Sequence, residues 1–378
     1  MSVPRPVLPD YLGANLVGLI PALSAPAGSR PGWVPEPLKD AEQVVLFVVD
    51  GLGWLQLQER TGLAPVLSGM AGGPITSVVP TTTATALTSI TVSAPPAVHG
   101  IVGYKLVVDG EEGPEVMNVL RWRTPSGDAR ERIHPEAFQT IVPFGGRPIP
   151  VVSKAEFNGT GFSNAHQRGA PLASWVQPSS LAVEVRRLIS AGTPLVYAYY
   201  EGVDKVAHFH GFGEHYDAEL VAVDRIVGDI LDALPAGAAL AVTSDHGQVQ
   251  IGPRAKLLDP RIAEEIELAS GEARFRWLHA RPNGSGSIDK LAALATDIYG
   301  DQAWVVTCDQ IEAEGWFGGP LTPTVRSRLG DVAVVPYEPV GYLAPSETGE
   351  PLLACRHGSL TPEEMFVPLV GQRGRLGG

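Results

Sequence analysis

Acidic and histidine side chains in four separate segments are of the types that bind divalent metal ions. The segments are VVDGLG, EGVDKVAHFHG, SDHG and RHGS, and their candidate ligands are Asp50, Asp204, His208, Asp245, His246 and His357. Carboxylate oxygens and imidazole nitrogens suit Zn²⁺, and they also suit Mn²⁺ or Fe²⁺. Six such ligands suffice for two metals with three protein ligands each. Two metals about 4 Å apart can hold a phosphoryl group between an attacking and a leaving oxygen.

Each segment taken alone has an ordinary structural explanation. An Asp-Gly pair after a strand is usually a turn, and an Asp and a His four residues apart can simply form the polar side of a helix. The whole set is more specific than its parts, because its acidic members follow segments that resemble buried strands. The combination favours a two-metal site over a chance arrangement.

Three apolar segments predict the elements that position these side chains. QVVLFVVD (43–50), PLVYAYYEGVD (194–204) and AALAVTSDHG (238–247) each have an apolar body and a polar or acidic tip, which is typical of central parallel strands. Between the last two, EHYDAELVAVDRIVGDILDAL carries apolar residues at spacings of three and four, which predicts an amphipathic helix. Strand, helix and strand in this order form a parallel crossover unit. The predicted fold class is therefore α/β, with a mostly parallel central sheet and helices on both faces, and ligands beyond the carboxyl ends of the strands.

The remaining pattern divides the chain into an arm, a core and an insertion. Residues 253–345 contain EARFRWLHA, SIDKLAALATDIYG, AWVVTC and GDVAVVPY, which predict strand, helix, strand and strand. RHGSLTPEEMFVPLV then returns to a buried strand. The predicted organisation is an N-terminal arm (1–40), a catalytic core (41–252 and 346–378) with a substrate-binding segment (105–175), and an inserted α+β cap (253–345).

Composition limits the partners of the protein. The chain has 378 residues, a formal net charge of −13 and an isoelectric point near 5.2, which argues against binding to a nucleic-acid backbone. A small phosphorylated substrate remains compatible with an acidic protein, because a bound cation reverses the local sign of charge. The two cysteines form no CxxC pair, and no apolar run approaches the roughly 20 residues of a membrane span.

The N-terminal segment leaves two alternatives for localisation. ANLVGLIPALSA has the character of a short signal region, but four prolines interrupt the first 21 residues. A cytoplasmic protein is favoured, with export as the weaker alternative. The sequence does not specify an oligomeric state.

The ligand segments, together with one rich in threonine, resemble a known family. VVDGLG, PTTTATALTSITVSAPPAVHGIVG, YYEGVDKVAHFHG, SDHG and RHGSL are similar to motifs of the alkaline phosphatase superfamily and, within it, of the nucleotide pyrophosphatase/phosphodiesterase family. The resemblance runs from about residue 43 to 370 and includes RSRLGDVAVVPYEPVGY. It implies two metals, predicted here as zinc: one held by Asp50, Asp245, His246 and the nucleophile, the other by Asp204, His208 and His357.

The resemblance also implies a threonine nucleophile a few residues after a proline. Thr83, three residues after Pro80, is the best match, whereas Thr81 and Thr82 are interpreted as turn and N-cap residues. Metal coordination would lower the pKa of the hydroxyl and give it alkoxide character. A helix beginning near Thr83 would direct amide N–H groups at the phosphate, although threonine is β-branched and therefore a weaker helix former.

One departure from the family concerns phosphate binding. Many of these diesterases carry an Asn after the His-Gly pair, and here HGIVGY places Tyr104 at that position. The substrate-binding candidates are Tyr104, Lys154, Asn158, Asn164 and His166, with a solvated loop as the alternative for the last four.

The sequence therefore predicts a two-zinc hydrolase of phosphate diesters or nucleotide pyrophosphates that acts through a phosphothreonine. A phosphomonoesterase, a C–P hydrolase and a phosphotransferase or mutase of the same superfamily are the alternatives, with a non-catalytic metal- or nucleotide-binding protein as a further one.

Overall fold

A seven-stranded sheet lies at the centre of the molecule. The structure is a computed structural model that describes residues 3–281, 288–347 and 352–376. The strands in chain order are β1 (Gln43–Val49), β2 (Ala71–Thr76), β3 (Val151–Lys154), β4 (Leu172–Trp175), β5 (Leu195–Tyr200), β6 (Ala238–Thr243) and β7 (Phe366–Arg373). Their spatial order is β2-β7-β6-β1-β5-β3-β4, and β7 alone runs in the direction opposite to the other six strands of this sheet. The sequence-based prediction of a mostly parallel central sheet is confirmed.

The central strands are apolar along their whole length because both faces of the sheet are covered. In β1, Val44, Leu46 and Val48 pack into one hydrophobic cluster. The alternate residues Val45, Phe47 and Val49 pack into a second cluster on the opposite face. This two-sided burial explains why β1 reads as a continuous apolar run and not as an alternating one.

Helices cover the two faces of the sheet. The first cluster receives residues from helices Leu19–Ser24, Glu36–Lys39, Thr83–Val92, Pro96–His99, Pro135–Phe138, Gly161–Gln167, Cys308–Ala313, Pro323–Arg326 and Pro362–Met365. The second receives residues from Trp54–Gln58, Pro65–Ser68, Leu181–Ser190, Gly202–His210 and Glu214–Ala233. The predicted amphipathic crossover helix is the 20-residue helix Glu214–Ala233. The prediction of helices on both faces is confirmed.

The segment between β6 and β7 forms a second, antiparallel sheet. Its strand order is Ile266–Glu272, Phe275–Ala280, Val332–Pro336 and Ala303–Thr307, and helices Pro260–Glu265 and Ile288–Tyr299 pack on it. Three of these strands and the second helix are those predicted from the sequence. Two short pairings join the segments of chain that lead into and out of this sheet: Val249–Gln250 with Cys355–Arg356, and Ala255–Leu257 with Gly341–Leu343.

The segment 105–175 has a mixed role that the sequence did not reveal. It begins with a small antiparallel sheet of strands Lys105–Asp109, Pro114–Asn118, Arg123–Thr124 and Gly127–Asp128. It ends with β3 and β4, which extend the central sheet. These two strands are only four residues long and contain polar residues such as Ser153 and Ser174, so they lack a strong strand pattern.

The N-terminal residues lie on the core. Leu16, Leu19 and Ile20 are buried, and the helix Leu19–Ser24 packs into the first hydrophobic cluster. In the described part of the chain, no helix has the length and apolar character that crossing a membrane requires.

Candidate active site

Thr83 begins a helix buried in the core. The helix Thr83–Val92 starts after Thr82, whose backbone is extended, and all ten of its residues are buried. Threonine side chains are tolerated there because two hydroxyls bond back to carbonyls of the preceding turn: Thr88 donates to Ala84 O (2.7 Å) and Thr91 to Leu87 O (3.0 Å). The predicted helix start is confirmed, and the amide groups of its first turn lie beside the Thr83 hydroxyl.

The first group of predicted ligands surrounds His246. Asp50 follows β1 and Asp245 follows β6, which is the neighbouring parallel strand, so both carboxylates lie at the same edge of the sheet. His246 Nε2 lies 3.5 Å from Asp50 Oδ1, 3.4 Å from Asp245 Oδ2 and 3.2 Å from Thr83 Oγ1. The hydroxyl and these three side chains therefore converge on one small space.

The second group lies beside the first. His208 Nε2 is 3.2 Å and His357 Nε2 is 3.7 Å from Asp204 Oδ1. The imidazoles of His246 and His357 stack with ring centroids 3.6 Å apart. Asp204 belongs to both neighbourhoods, because its carboxylate also lies within 4.8 Å of the ligand atoms of Asp50 and His246. The two groups thus adjoin through Asp204.

All three histidines are held in the same tautomer. The Nδ1 atoms of His208, His246 and His357 lie 2.8, 3.0 and 2.8 Å from the carbonyl oxygens of Cys355, Gly247 and Thr81. A carbonyl oxygen only accepts, so each Nδ1 carries the proton and donates it. In the neutral ring, each Nε2 then presents a lone pair toward the space between the carboxylates, which is the arrangement of a metal-binding imidazole.

The buried carboxylates of the cluster lie close together, and a nearby positive charge would stabilise them. Burial, with the neighbouring Asp245 and Asp204 carboxylates, raises the pKa of Asp50 well above its usual value. Burial also raises the pKa of Asp204, but the His208, His357 and His246 imidazoles outweigh it and lower that pKa overall. Asp50 Oδ1 and Asp245 Oδ2 are buried and have no hydrogen-bond partner among the described residues. Two buried carboxylate oxygens without a hydrogen-bond partner, beside the Nε2 atom of His246, fit a divalent metal ion.

Two cavities meet at Thr83. The first, here called the cap-side pocket, has a volume of about 300 Å³ and is lined by Thr83, Tyr104, Glu272, Glu347 and His357, among others. The second, here called the aromatic pocket, has a volume of about 250 Å³ and is lined by Leu87, Phe157, Phe162, His166 and Tyr199, among others. Thr83, Asp204 and Lys205 border both cavities. A group bound at Thr83 therefore has space on two sides.

Two of the five substrate-binding candidates line these cavities. The hydroxyl of Tyr104 accepts a hydrogen bond from Asn118 Nδ2 (2.6 Å) in the cap-side pocket. His166 lines the aromatic pocket, is 2 % exposed, and stacks on Phe162 with centroids 4.0 Å apart. Its Nδ1–H donates to Phe162 O (2.7 Å), which leaves Nε2 as an acceptor without a partner in the described chain. Burial lowers the pKa of His166 to about 4, so the ring is neutral near pH 7.

The other three candidates lie elsewhere. Lys154 pairs with Glu156 and with Glu201 (3.1 Å). Asn158 is exposed and donates to Ser174 Oγ (2.6 Å), and Asn164 is exposed on the helix Gly161–Gln167. None of these three borders the cap-side or aromatic pocket as the described residues form them.

Three side chains at the site were missed in the sequence. Tyr199 donates a hydrogen bond to Asp50 Oδ2, and Gln248 Nε2 donates one to Asp204 Oδ1 (2.8 Å). Glu272, from the inserted sheet, lies with Oε2 3.9 Å from His357 Nδ1, and burial raises its pKa to about 8. Gln248 follows the SDHG motif directly, and that proximity was the only available signal for it. Tyr199 required the strand register, and Glu272 the folding of the insertion.

Comparison with known proteins agrees with this geometry. The sequence profile of the family described as type I phosphodiesterase/nucleotide pyrophosphatase matches residues 44–297. The chain belongs to this family. The membership confirms the resemblance found in the sequence and shows that the protein is a phosphoester hydrolase of the alkaline phosphatase superfamily. A search of curated proteins gave no match.

The chain has the same fold as several solved structures. Murine ectonucleotide pyrophosphatase/phosphodiesterase 5 is 16% identical, with a TM-score of 0.65 and 88% of each chain covered. An inactive variant of that protein in complex with AMP gives a TM-score of 0.65 at 15% identity over 87% of each chain. Phosphonoacetate hydrolase from Sinorhizobium meliloti 1021, in complex with phosphonoacetate, is 18% identical, with a TM-score of 0.59, and the match covers 89% of this chain and 91% of that chain.

Proposed function

We propose that this phosphoester hydrolase cleaves phosphate diesters or nucleotide pyrophosphates at a two-zinc site, with Thr83 as the nucleophile. The observation that carries the proposal is the convergence of the Thr83 hydroxyl, 3.2 Å from His246 Nε2, with carboxylate oxygens and imidazole nitrogens at one edge of the sheet. Asp50, Asp245, His246 and Thr83 would hold one metal, and Asp204, His208 and His357 the other. Mn²⁺ or Fe²⁺ would suit the same ligands.

The bound metals would neutralise the phosphoryl oxygens and stabilise negative charge on the attacking and leaving oxygens. Thr83 Oγ1 would lose its proton to solvent and attack phosphorus in line, and the bond from phosphorus to the leaving oxygen would break, so that the first product departs with that oxygen. The covalent intermediate would be a phosphoester of Thr83, a phosphothreonine. Water would then attack the same phosphorus and break its bond to Thr83 Oγ1, which regains a proton, and the second product departs as a phosphate monoester. The amide groups at the start of the helix Thr83–Val92 point toward the same space and favour the phosphoryl charge. Leu87, Leu120 and Phe162 beside Thr83 limit the access of bulk water to the aromatic side of the site.

The two cavities favour a diester over a monoester. A phosphorus atom attacked by Thr83 would have the cap-side pocket on one side and the aromatic pocket on the other. A monoester would fill only one of them. Tyr104 replaces the Asn of many relatives, and its hydroxyl, fixed by Asn118, could donate to a substrate oxygen in the cap-side pocket.

The aromatic pocket is suited to a nucleoside or another flat apolar group with a hydrogen-bond donor. Its walls include Phe157 and Phe162, together with the buried His166, whose Nε2 accepts a hydrogen bond in the neutral ring. An amino group or a hydroxyl on the bound group would supply the missing donor. A structural relative binds AMP, which is a group of this chemistry.

The test is hydrolysis of bis-p-nitrophenyl phosphate by the full chain with and without a chelator. The proposal predicts that chelation abolishes turnover and that added zinc restores it. Equal rates with and without chelator would refute the two-metal site. p-Nitrophenyl phosphate and phosphonoacetate should be assayed in parallel, because faster turnover of either would favour a monoesterase or a C–P hydrolase.

A further inference from the structure

A buried tyrosine that the proposed reaction does not use lies against the carboxylate of Asp50. Tyr199 is 8 % exposed, and its hydroxyl donates a hydrogen bond to Asp50 Oδ2. The other oxygen, Oδ1, lies 3.5 Å from His246 Nε2 and has no hydrogen-bond partner among the described residues. The two oxygens of the Asp50 carboxylate thus have different surroundings: Oδ2 accepts from Tyr199, and Oδ1 faces His246.

The register of two parallel strands explains how Tyr199 reaches Asp50. Val48 of β1 lies opposite Tyr199 of β5. Asp50 is two residues beyond Val48, so it faces the same side of the sheet as Tyr199 and is its diagonal neighbour. A one-residue shift of this register would turn Tyr199 to the opposite face.

We propose that Tyr199 is a positioning residue for the metal held by Asp50, Asp245, His246 and Thr83. By occupying Oδ2, its hydroxyl fixes the rotation of the Asp50 carboxylate and presents Oδ1 alone to the metal. The inference rests on the two-metal function proposed above. Hydrogen bonds of this kind to a metal ligand typically change metal affinity by about 10- to 100-fold.

The chain contains a matched control two residues earlier on the same strand. Tyr197 lies opposite Leu46, points to the same face as Tyr199 and is 0 % exposed. Its hydroxyl has no hydrogen-bond partner within the described ranges. Two residues along a strand correspond to about 6.6 Å, so Tyr197 shares the burial of Tyr199 but lies farther from the ligands.

The experiment compares Tyr199→Phe with Tyr197→Phe in the full chain. Zinc affinity is measured by competition with a chromophoric chelator, in the wild-type protein and in a His208→Ala background that weakens the second site. We expect Tyr199→Phe to weaken zinc binding at the remaining site about 10- to 100-fold and Tyr197→Phe to leave it unchanged. Circular dichroism and thermal unfolding of the metal-free variants report on folding, because each substitution removes only one oxygen.

The visible spectrum of the cobalt(II)-substituted protein gives a second readout. A changed Asp50 orientation should alter the spectrum in Tyr199→Phe and not in Tyr197→Phe. Wild-type affinity and an unchanged spectrum in Tyr199→Phe would overturn the inference, as would equal weakening in both variants. A wild-type protein that binds no zinc would instead refute the two-metal function itself, which separates the two failures.

Discussion

The pair Arg274–Glu364 connects the inserted sheet to the loop that carries His357, and its loss should be costly. Arg274 and Glu364 are both 0 % exposed. The guanidinium donates from Nε to Glu364 Oε1 and from Nη2 to Glu364 Oε2, at 2.8 Å each. Glu364 Oε1 also accepts from the amide of Ser359 (3.0 Å), two residues after His357. The pair therefore fixes part of the metal site as well as the interface.

Replacing Arg274 by Met should destabilise the protein by about 3–5 kcal/mol, the range found when one partner of a buried ion pair is removed. The guanidinium also donates to the carbonyls of Glu338 (2.9 Å), Val340 (2.8 Å) and Pro336 (3.2 Å), and each of these would lose one hydrogen bond. The large value follows because the Glu364 carboxylate would stay buried without its cationic partner, and would keep only the neutral donors Ser359 N–H (3.0 Å) and Thr361 Oγ1 (2.8 Å).

The assay is chemical unfolding of the metal-free protein, with Arg187→Met as the control. Arg187 bonds to Glu184 in a similar way (2.8 Å), but its side chain is 60% exposed, so its loss should cost no more than about 1 kcal/mol. A loss below about 1 kcal/mol for Arg274→Met would refute the argument that this buried pair holds the insertion on the core.

Three further predictions concern other parts of the site. Gln248→Leu removes the donor to Asp204 Oδ1 and should weaken zinc binding about 10- to 100-fold, measured by chelator competition; unchanged affinity would contradict this. His166→Phe removes the acceptor in the aromatic pocket and should raise KM about 3- to 10-fold for a substrate whose base carries an amino group. The KM of a substrate whose base has no hydrogen-bond donor should change little, and equal effects on both substrates would exclude the proposed contact. Burial lowers the pKa of His99 to about 3 and of His166 and His279 to about 4, so the unfolded chain takes up protons first as pH falls below about 6.5. The free energy of unfolding should therefore decrease from pH 6.5 to pH 4, by up to about 1.4 kcal/mol per pH unit for each histidine. A free energy of unfolding that does not change in this pH window would show that these rings are not buried in the neutral form.

The strands that carry the site could be predicted because their sequence pattern and their environment agree. β1, β5 and β6 are apolar throughout and buried on both faces, so each shows as an uninterrupted run that ends in an acid. Parallel pairing then requires Asp50 and Asp245 to lie at one edge. The structure brings the predicted ligands and Thr83 together there, and their roles remain predictions.

The features of the candidate site that depend on contacts between distant segments of the chain could not be predicted from the sequence. Lys154 stands at the end of β3, but only the fold shows that it pairs with Glu201 and borders neither of the two pockets. Glu272 reaches the site because a separate sheet folds over the core, and no local pattern indicates this. The sequence places Tyr199 in an apolar strand and gives no sign of its hydrogen bond to Asp50, because that bond depends on the register between β5 and β1.

The central claim is that Thr83 is the nucleophile of a two-metal phosphodiesterase. Its most direct test is to measure bis-p-nitrophenyl phosphate hydrolysis and zinc content on the same preparation of Thr83→Ala. We expect a loss of turnover of at least about a thousandfold, with about two zinc ions per chain retained, since three other protein ligands remain at the first metal and three at the second. A Thr83→Ala protein that binds zinc and hydrolyses the diester at the wild-type rate would contradict the account.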